Sequence, residues 1–210
     1  MLRDLSVVDF LGELAAEKST PGGGGVAALA GACGVALVEM VANFSTGRKK
    51  YEEHQDVIDD ILSKGEEYRK ALLEAIDGDA AAYGGVSAAY KMPKETDEEK
   101  AARSEAIQKA LKAATLSPLG ILESCTKGME LVDMALDRTN PNIIGDLAVA
   151  AIQLKSGAES AWINVLVNLP SIKDEGFVAE ATKKGQEALE VVGSLHDKII
   201  KAIVVKMGGA

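Results

Sequence analysis

Asp77 and Asp79 flank Gly78. A carboxylate in such a setting can cap a helix, act as a general base, or partner a cation. A third aspartate, Asp146, stands one turn inside a segment that is otherwise apolar, with Ile143, Ile144, Leu147 and Ala148 as neighbours. Asn164 and Asn168 fall in the apolar end of the same segment. Burying such groups unpaired costs about 1–3 kcal/mol each. They therefore require partners, water or a ligand, which either an internal hydrogen-bond network or a lined cavity supplies.

The run Ser19-Thr20-Pro21-Gly22-Gly23-Gly24-Gly25 precedes a long apolar stretch. Four glycines at a helix start leave backbone N–H groups unshielded, a geometry that accepts a phosphate or carboxylate. The same run also serves a tight turn with close helix packing. It is neither a Walker loop, since no Gly-Lys-Ser/Thr follows, nor a Rossmann fingerprint, since no strand precedes it. Arg48, Lys49 and Lys50 form the densest basic cluster. They read as a C-terminal helix cap or as a grip on the anionic tail of a ligand.

Other reactive residue types are sparse. His54 and His196 are far apart, without zinc-ligand spacing, and both read as surface residues. Cys33 and Cys125 form no pairing framework and read as reduced core thiols, and Trp162 as core. The 210 residues carry 23 Lys plus Arg against 32 Asp plus Glu, a net charge of −9. Such a chain has no general attraction to nucleic acid or anionic lipid. Residues 1–10 lack a secretory pattern, so a cytoplasmic location is expected.

Helical periodicity positions these groups. Low aromatic content, 4%, argues against a β-sandwich or barrel. A first helix is expected over Leu5–Ala16, with Thr20 capping the next and Pro21 in its first turn. Val26–Phe44 is nearly apolar, interrupted by Glu39 and Asn43, and reads as a buried core helix rather than a membrane span. A helix follows from Glu52 to Ile76. Asp77-Gly78-Asp79 breaks or bends the chain, and another helix runs to Lys91. Thr96 with Glu99 forms a capping box for a helix to Thr115. Ser117-Pro118 starts the next, Asn142 to Leu169 forms one closed by Pro170, and Asp174 to Met207 forms the last. The expected architecture is all-α: one domain over 1–210, an antiparallel bundle of seven to nine helices, paired as a homodimer through small-residue faces.

The ordered set of motifs resembles a known family. It comprises Thr20-Pro21-Gly22-Gly23-Gly24-Gly25-Val26-Ala27-Ala28-Leu29, Glu39-Met40-Val41-Ala42-Asn43 and Arg48-Lys49-Lys50-Tyr51. It continues through Asp79–Tyr83, Ala89–Lys94, Thr96–Lys100, Asn142-Ile143-Ile144-Gly145-Asp146 and Asn164–Leu169. These resemble the cyclodeaminase/cyclohydrolase family: the cyclodeaminase domain of formiminotransferase-cyclodeaminase and stand-alone bacterial methenyltetrahydrofolate cyclohydrolases. The resemblance implies an all-helical homodimer with a folate site near the subunit interface, no metal, and no cofactor beyond the tetrahydrofolate substrate. It carries Asp79 and Asp146 over as catalytic. Thr20, Pro21, Gly22, Gly23, Gly24, Gly25, Arg48, Lys49, Lys50, Asn142 and Asn164 become substrate-binding residues. The family pattern has Ser where this chain has Gly145.

Both family reactions meet at 5,10-methenyltetrahydrofolate, a cationic amidinium. Asp79 and Asp146 would move protons and stabilise that cation, Lys49 and Lys50 would hold the glutamate carboxylates of a folate, polyglutamylated forms included, and the Gly22–Gly25 backbone would line it. With no formiminotransferase domain on the chain, methenyltetrahydrofolate cyclohydrolase is the expected activity. Formimidoyltetrahydrofolate cyclodeaminase is the alternative, and a non-catalytic helical interaction module the rival from another class.

Overall fold

A computed structural model describes residues 1–208. Among them are six α-helices, four short 3₁₀ turns and no strand. The helices are α1 (Val7–Ala15), α2 (Gly23–Asn43), α3 (Gln55–Tyr90), α4 (Asp97–Ala135), α5 (Ile144–Asn168) and α6 (Glu175–Lys206). The all-α expectation stands. The helix number is lower than the sequence suggested, because two expected breaks are absent.

The first missing break is at Asp77-Gly78-Asp79, which lies inside a continuous α3. Aspartates disrupt helices by bonding to their own backbone. Here Asp77 is engaged elsewhere: its Oδ1 accepts from Leu2 N at 2.7 Å, and its Oδ2 lies 3.4 Å from Arg3 Nε. Asp79 is likewise directed at another helix, as shown below. The second missing break is at Pro118, which sits within a continuous α4. The carbonyl that proline leaves without a helical partner is that of Ala114, and Asn168 Nδ2 donates to it at 3.0 Å. In both places a tertiary contact overrides a local stop signal.

From α2 to α6 the helices alternate in direction. Residue pairs show it: Gly24 faces Asp79, Gly34 faces Ala150, Gly128 faces Leu154, and Gly185 lies under the Trp162 ring. α2 is the central element, packed most extensively on α5 and α3 and also on α4. It is long and apolar enough to cross a membrane, yet more than half of its apolar window is buried inside the bundle. Close approach needs its small residues. A Cβ on Gly157 of α5 would stand 2.9 Å from Ala27 O, so these two backbones touch only because that atom is missing.

α2 is about 31 Å long while α3 and α4 are about 54 and 58 Å at 1.5 Å per residue. The long helices overhang the α2 N-terminus. There a second cluster (Ala89, Ile107, Leu111, Val165, Leu169, Ile172, Ala181) supplements the main core. The overhang walls the space in front of α2.

Cys125 is buried as expected, but Cys33 is exposed. It belongs to an uncharged outer stripe of α2 with Val26, Leu29, Ala36, Leu37 and Met40. The period places it one position out of phase with the core-facing residues Ala32 and Val35.

Candidate active site

The first turn of α2 begins after Gly22, which occupies the N-cap position with no side chain to accept from the orphan amides. Thr20, expected as the cap, lies outside this position. Asp79 stands in for it from α3. Its carboxylate lies against the first turn of the helix, where the Gly25 N–H favours the anion. A Cβ on Gly24 would overlap that carboxylate. The glycine run thus admits an aspartate of this chain against the helix end, where the sequence suggested a cradle for a ligand anion.

Asp79 experiences two opposed influences. Burial raises its pKa above the ordinary carboxylate value, and the Gly25 N–H pulls it partly back. A carboxylate with raised proton affinity, still favoured as an anion by a helix N-terminus, suits proton transfer.

A cavity of about 310 Å³ opens beside it. Asp79, Ala82, Tyr83 and Val86 line it from α3, Asn164, Val167 and Asn168 from α5, Ala114 from α4, Gly23 from the start of α2, and Ser19 and Gly22 from the loop before it. Among the described residues Asp79 is its one charged lining group. Asn164 packs on Gly23: a Cβ there would meet Asn164 Nδ2 at 3.3 Å. Sequence reasoning did not place Tyr83 in the site, and read Asn168 only as a polar group in need of a hydrogen-bond network or a cavity. The signal was available, since each lies four residues after a candidate, Asp79 and Asn164, on the same helical face.

The remaining candidates gather elsewhere. Asp146 lies at the first turn of α5, 18 residues and about 27 Å along the axis from Asn164. Arg48, Lys49 and Lys50 follow the far end of α2 and are exposed. Lys50 joins His54, Asn140, Ile144, Leu147 and Lys206 around a second cavity of about 460 Å³. His54, expected at the surface, is half-buried there. Asn142 is exposed nearby, its backbone N–H donating to Asn140 Oδ1 at 3.1 Å. Within one chain the structure therefore brings Asp79, Gly22, Gly23 and Asn164 together, and holds Asp146, Asn142 and the basic cluster at the opposite end. Among the described residues, no three His, Cys, Asp or Glu converge as metal ligands.

The model of the formiminotransferase-cyclodeaminase family matches residues 6–187. The chain belongs to this family. It is 40% identical to the methenyltetrahydrofolate cyclohydrolase of Methylorubrum extorquens, over 96% of this chain and 97% of that protein. It is 32% identical to the formimidoyltransferase-cyclodeaminase of Rattus norvegicus over 84% of this chain, spanning about a third (32%) of that longer protein. Its fold is similar to the crystal structure of formiminotetrahydrofolate cyclodeaminase from Thermotoga maritima, with a TM-score of 0.87, 28% identity, and coverage of 97% and 98% of the two chains. Members of the formiminotransferase-cyclodeaminase family thus include both a stand-alone chain of this length and a fused domain.

Proposed function

We propose that the chain is a cytoplasmic methenyltetrahydrofolate cyclohydrolase that interconverts 5,10-methenyltetrahydrofolate and 10-formyltetrahydrofolate. The observation that carries this reading is the 40% identity, end to end on both chains, with a protein of that name. The cavity geometry supports it. A cationic amidinium meets one carboxylate and two carboxamides, with no competing cation among the described lining residues.

In the hydrolytic direction a water oxygen attacks the amidinium carbon and Asp79 accepts its proton. The tetrahedral adduct then collapses: the bond from this carbon to N5 breaks, the hydroxyl proton passes to N5, and the carbonyl of the 10-formyl group forms. One proton is released to solvent. The balance closes with water alone and calls for no redox cofactor. A positioned base contributes about 10²–10⁴-fold in rate.

The family reading gives roles to groups at both ends of the bundle, which one chain holds about 27–30 Å apart. A homodimer whose copies run antiparallel along the uncharged α2 stripe resolves this. It sets the Asp79 end of one copy beside the Asp146 and Lys50 end of the other, and buries Val26, Cys33 and Met40. In that arrangement Asp146 aids cation stabilisation, and Lys49 and Lys50 hold the glutamate tail, polyglutamylated or not. Neither nucleic acid nor a membrane enters this reading.

Supplying methenyl- and formimino-tetrahydrofolate separately tests the proposal. Loss of the methenyl absorbance names the cyclohydrolase. Its appearance with ammonia release names the cyclodeaminase, the reading favoured by the fold match to the Thermotoga protein.

A further inference from the structure

Pro118 has no N–H to give the carbonyl four residues before it, so Ala114 O is left open in the middle of α4. Asn168 of α5 fills the vacancy, donating from Nδ2 at 3.0 Å. The same nitrogen donates to Asn164 O at 3.2 Å. Both amide hydrogens of Asn168 are thus committed to main-chain carbonyls on two different helices. Two acceptors on one side fix which way a carboxamide faces. The polar atom that remains is Oδ1, and Asn168 lines the cavity that holds Asp79. Asn164 is tied in a related way, its Nδ2 donating to Ser160 O at 2.9 Å.

From this we infer that Asn168 is a substrate-binding residue that selects for positive charge, aimed by Pro118 acting through the Ala114 carbonyl. The inference rests on the folate reading above and deepens it by naming how the closed, cationic ring is told from the open, neutral one. The methenyl bridge has no N–H to donate, so the interaction is between a fixed carbonyl dipole and a delocalised cation. A rotatable amide would average its dipole away, whereas one with both hydrogens engaged keeps its negative end on the ligand. Pro118 is a positioning residue: it touches no ligand and acts by leaving one acceptor unfilled.

The test measures KM and kcat in both directions for the intact protein, with 5,10-methenyltetrahydrofolate and 10-formyltetrahydrofolate as the two probes. Asn168→Ala is expected to raise the methenyl KM by about tenfold or more, the scale of a polar contact to a charged group. The 10-formyl KM should move less than twofold. Because no variant alters the overall equilibrium, the ratio of hydrolytic to cyclising turnover must rise by the same factor. Pro118→Ala returns an N–H to Ala114 O and loosens the hold on the amide. It should shift the methenyl KM in the same direction, severalfold, with an unchanged or higher Tm. This second variant decides the matter if Asn168→Ala does not fold. Equal changes in both KM values, a loss confined to kcat, or an unaltered cation preference in a folded Pro118→Ala would each overturn the inference. If the unmodified protein turned over neither folate, the proposed function would fall first and this inference with it.

Discussion

The Asp79 carboxylate occupies the space that a side chain on Gly24 would need. Helix α2 therefore starts in a run of glycines because an aspartate from α3 closes its end. The site and the helix terminus are one construction, and each can be perturbed through the other.

Gly24→Ala forces the carboxylate to move. We expect a stability loss of about 1–3 kcal/mol, the usual cost of overpacking, with a turnover loss approaching that of removing the carboxylate. Gly78→Ala is the control. Nothing stands within 4 Å of a Cβ there, and it lies mid-helix beside Asp79. It should gain about 0.5–1 kcal/mol and leave kcat intact. Urea midpoints and initial rates on the two variants measure both.

Asp79→Asn should lower turnover about 10²–10⁴-fold without unfolding the protein. The sign of its effect on stability follows from the raised pKa. Below the ordinary carboxylate range folded and unfolded chains are both protonated, and the carboxylate carries no penalty. As pH rises through the raised folded value, the native state must ionise a partly desolvated group that the unfolded state ionises freely. The Asn variant should therefore gain stability relative to the parent as pH rises from 4 to 8. A variant that loses stability over this range would show the carboxylate to be a favourable structural cap.

If each site is shared between two copies, Asp79→Asn and Asp146→Asn should both be poorly active alone. They should recover activity when unfolded together and refolded. Random reassortment of a two-fold dimer with two shared sites restores about a quarter of the parent rate. No recovery above the sum of the two variants would show that Asp146 does not serve the partner's site.

The two thiols should behave oppositely. Burial pushes the Cys125 thiol up to about 12, so it should resist alkylation in the native protein at pH 8. Cys33 is exposed on the outer α2 stripe of the single chain. Its labelling should fall as protein concentration rises and copies cover that stripe. Mass spectrometry across a dilution series reads both.

Much of this was visible beforehand. The capping box at Thr96 and Glu99 forms as expected, with Glu99 N bonded to Thr96 Oγ1 at 3.2 Å. The expected α5 stripe is buried at Leu147, Ala151, Leu154, Ala158 and Val165 and half-buried at Ile144 and Trp162. Periodicity carries this information because burial of one face repeats every turn. The two false breaks arose where the deciding partner is remote in sequence: Leu2 for Asp77, Gly25 for Asp79, Asn168 for the carbonyl that Pro118 abandons. Local rules price an aspartate or proline by its neighbours and know nothing of a helix 50 residues away. The same limit hid the separation of Asp146 from Asp79, since motifs that share a family pattern need not share an end of a bundle.

Glu39 and Arg69 form a two-pronged ion pair between α2 and α3, with Nε–Oε2 at 2.6 Å and Nη2–Oε1 at 3.3 Å, while a Cβ on Gly65 would stand 2.6 Å from the Glu39 side chain. It lies about 22 Å along α2 from Gly24 at 1.5 Å per residue. The two helices are therefore pinned at both ends, like a rule clamped against a straight edge. A slip of even one residue would unseat the ion pair and slide the aspartate off its glycine together. Distance along the helix is no protection here: a substitution at Glu39 lies far from Asp79 in the same chain, yet it loosens the gauge by which the Asp79 carboxylate is placed.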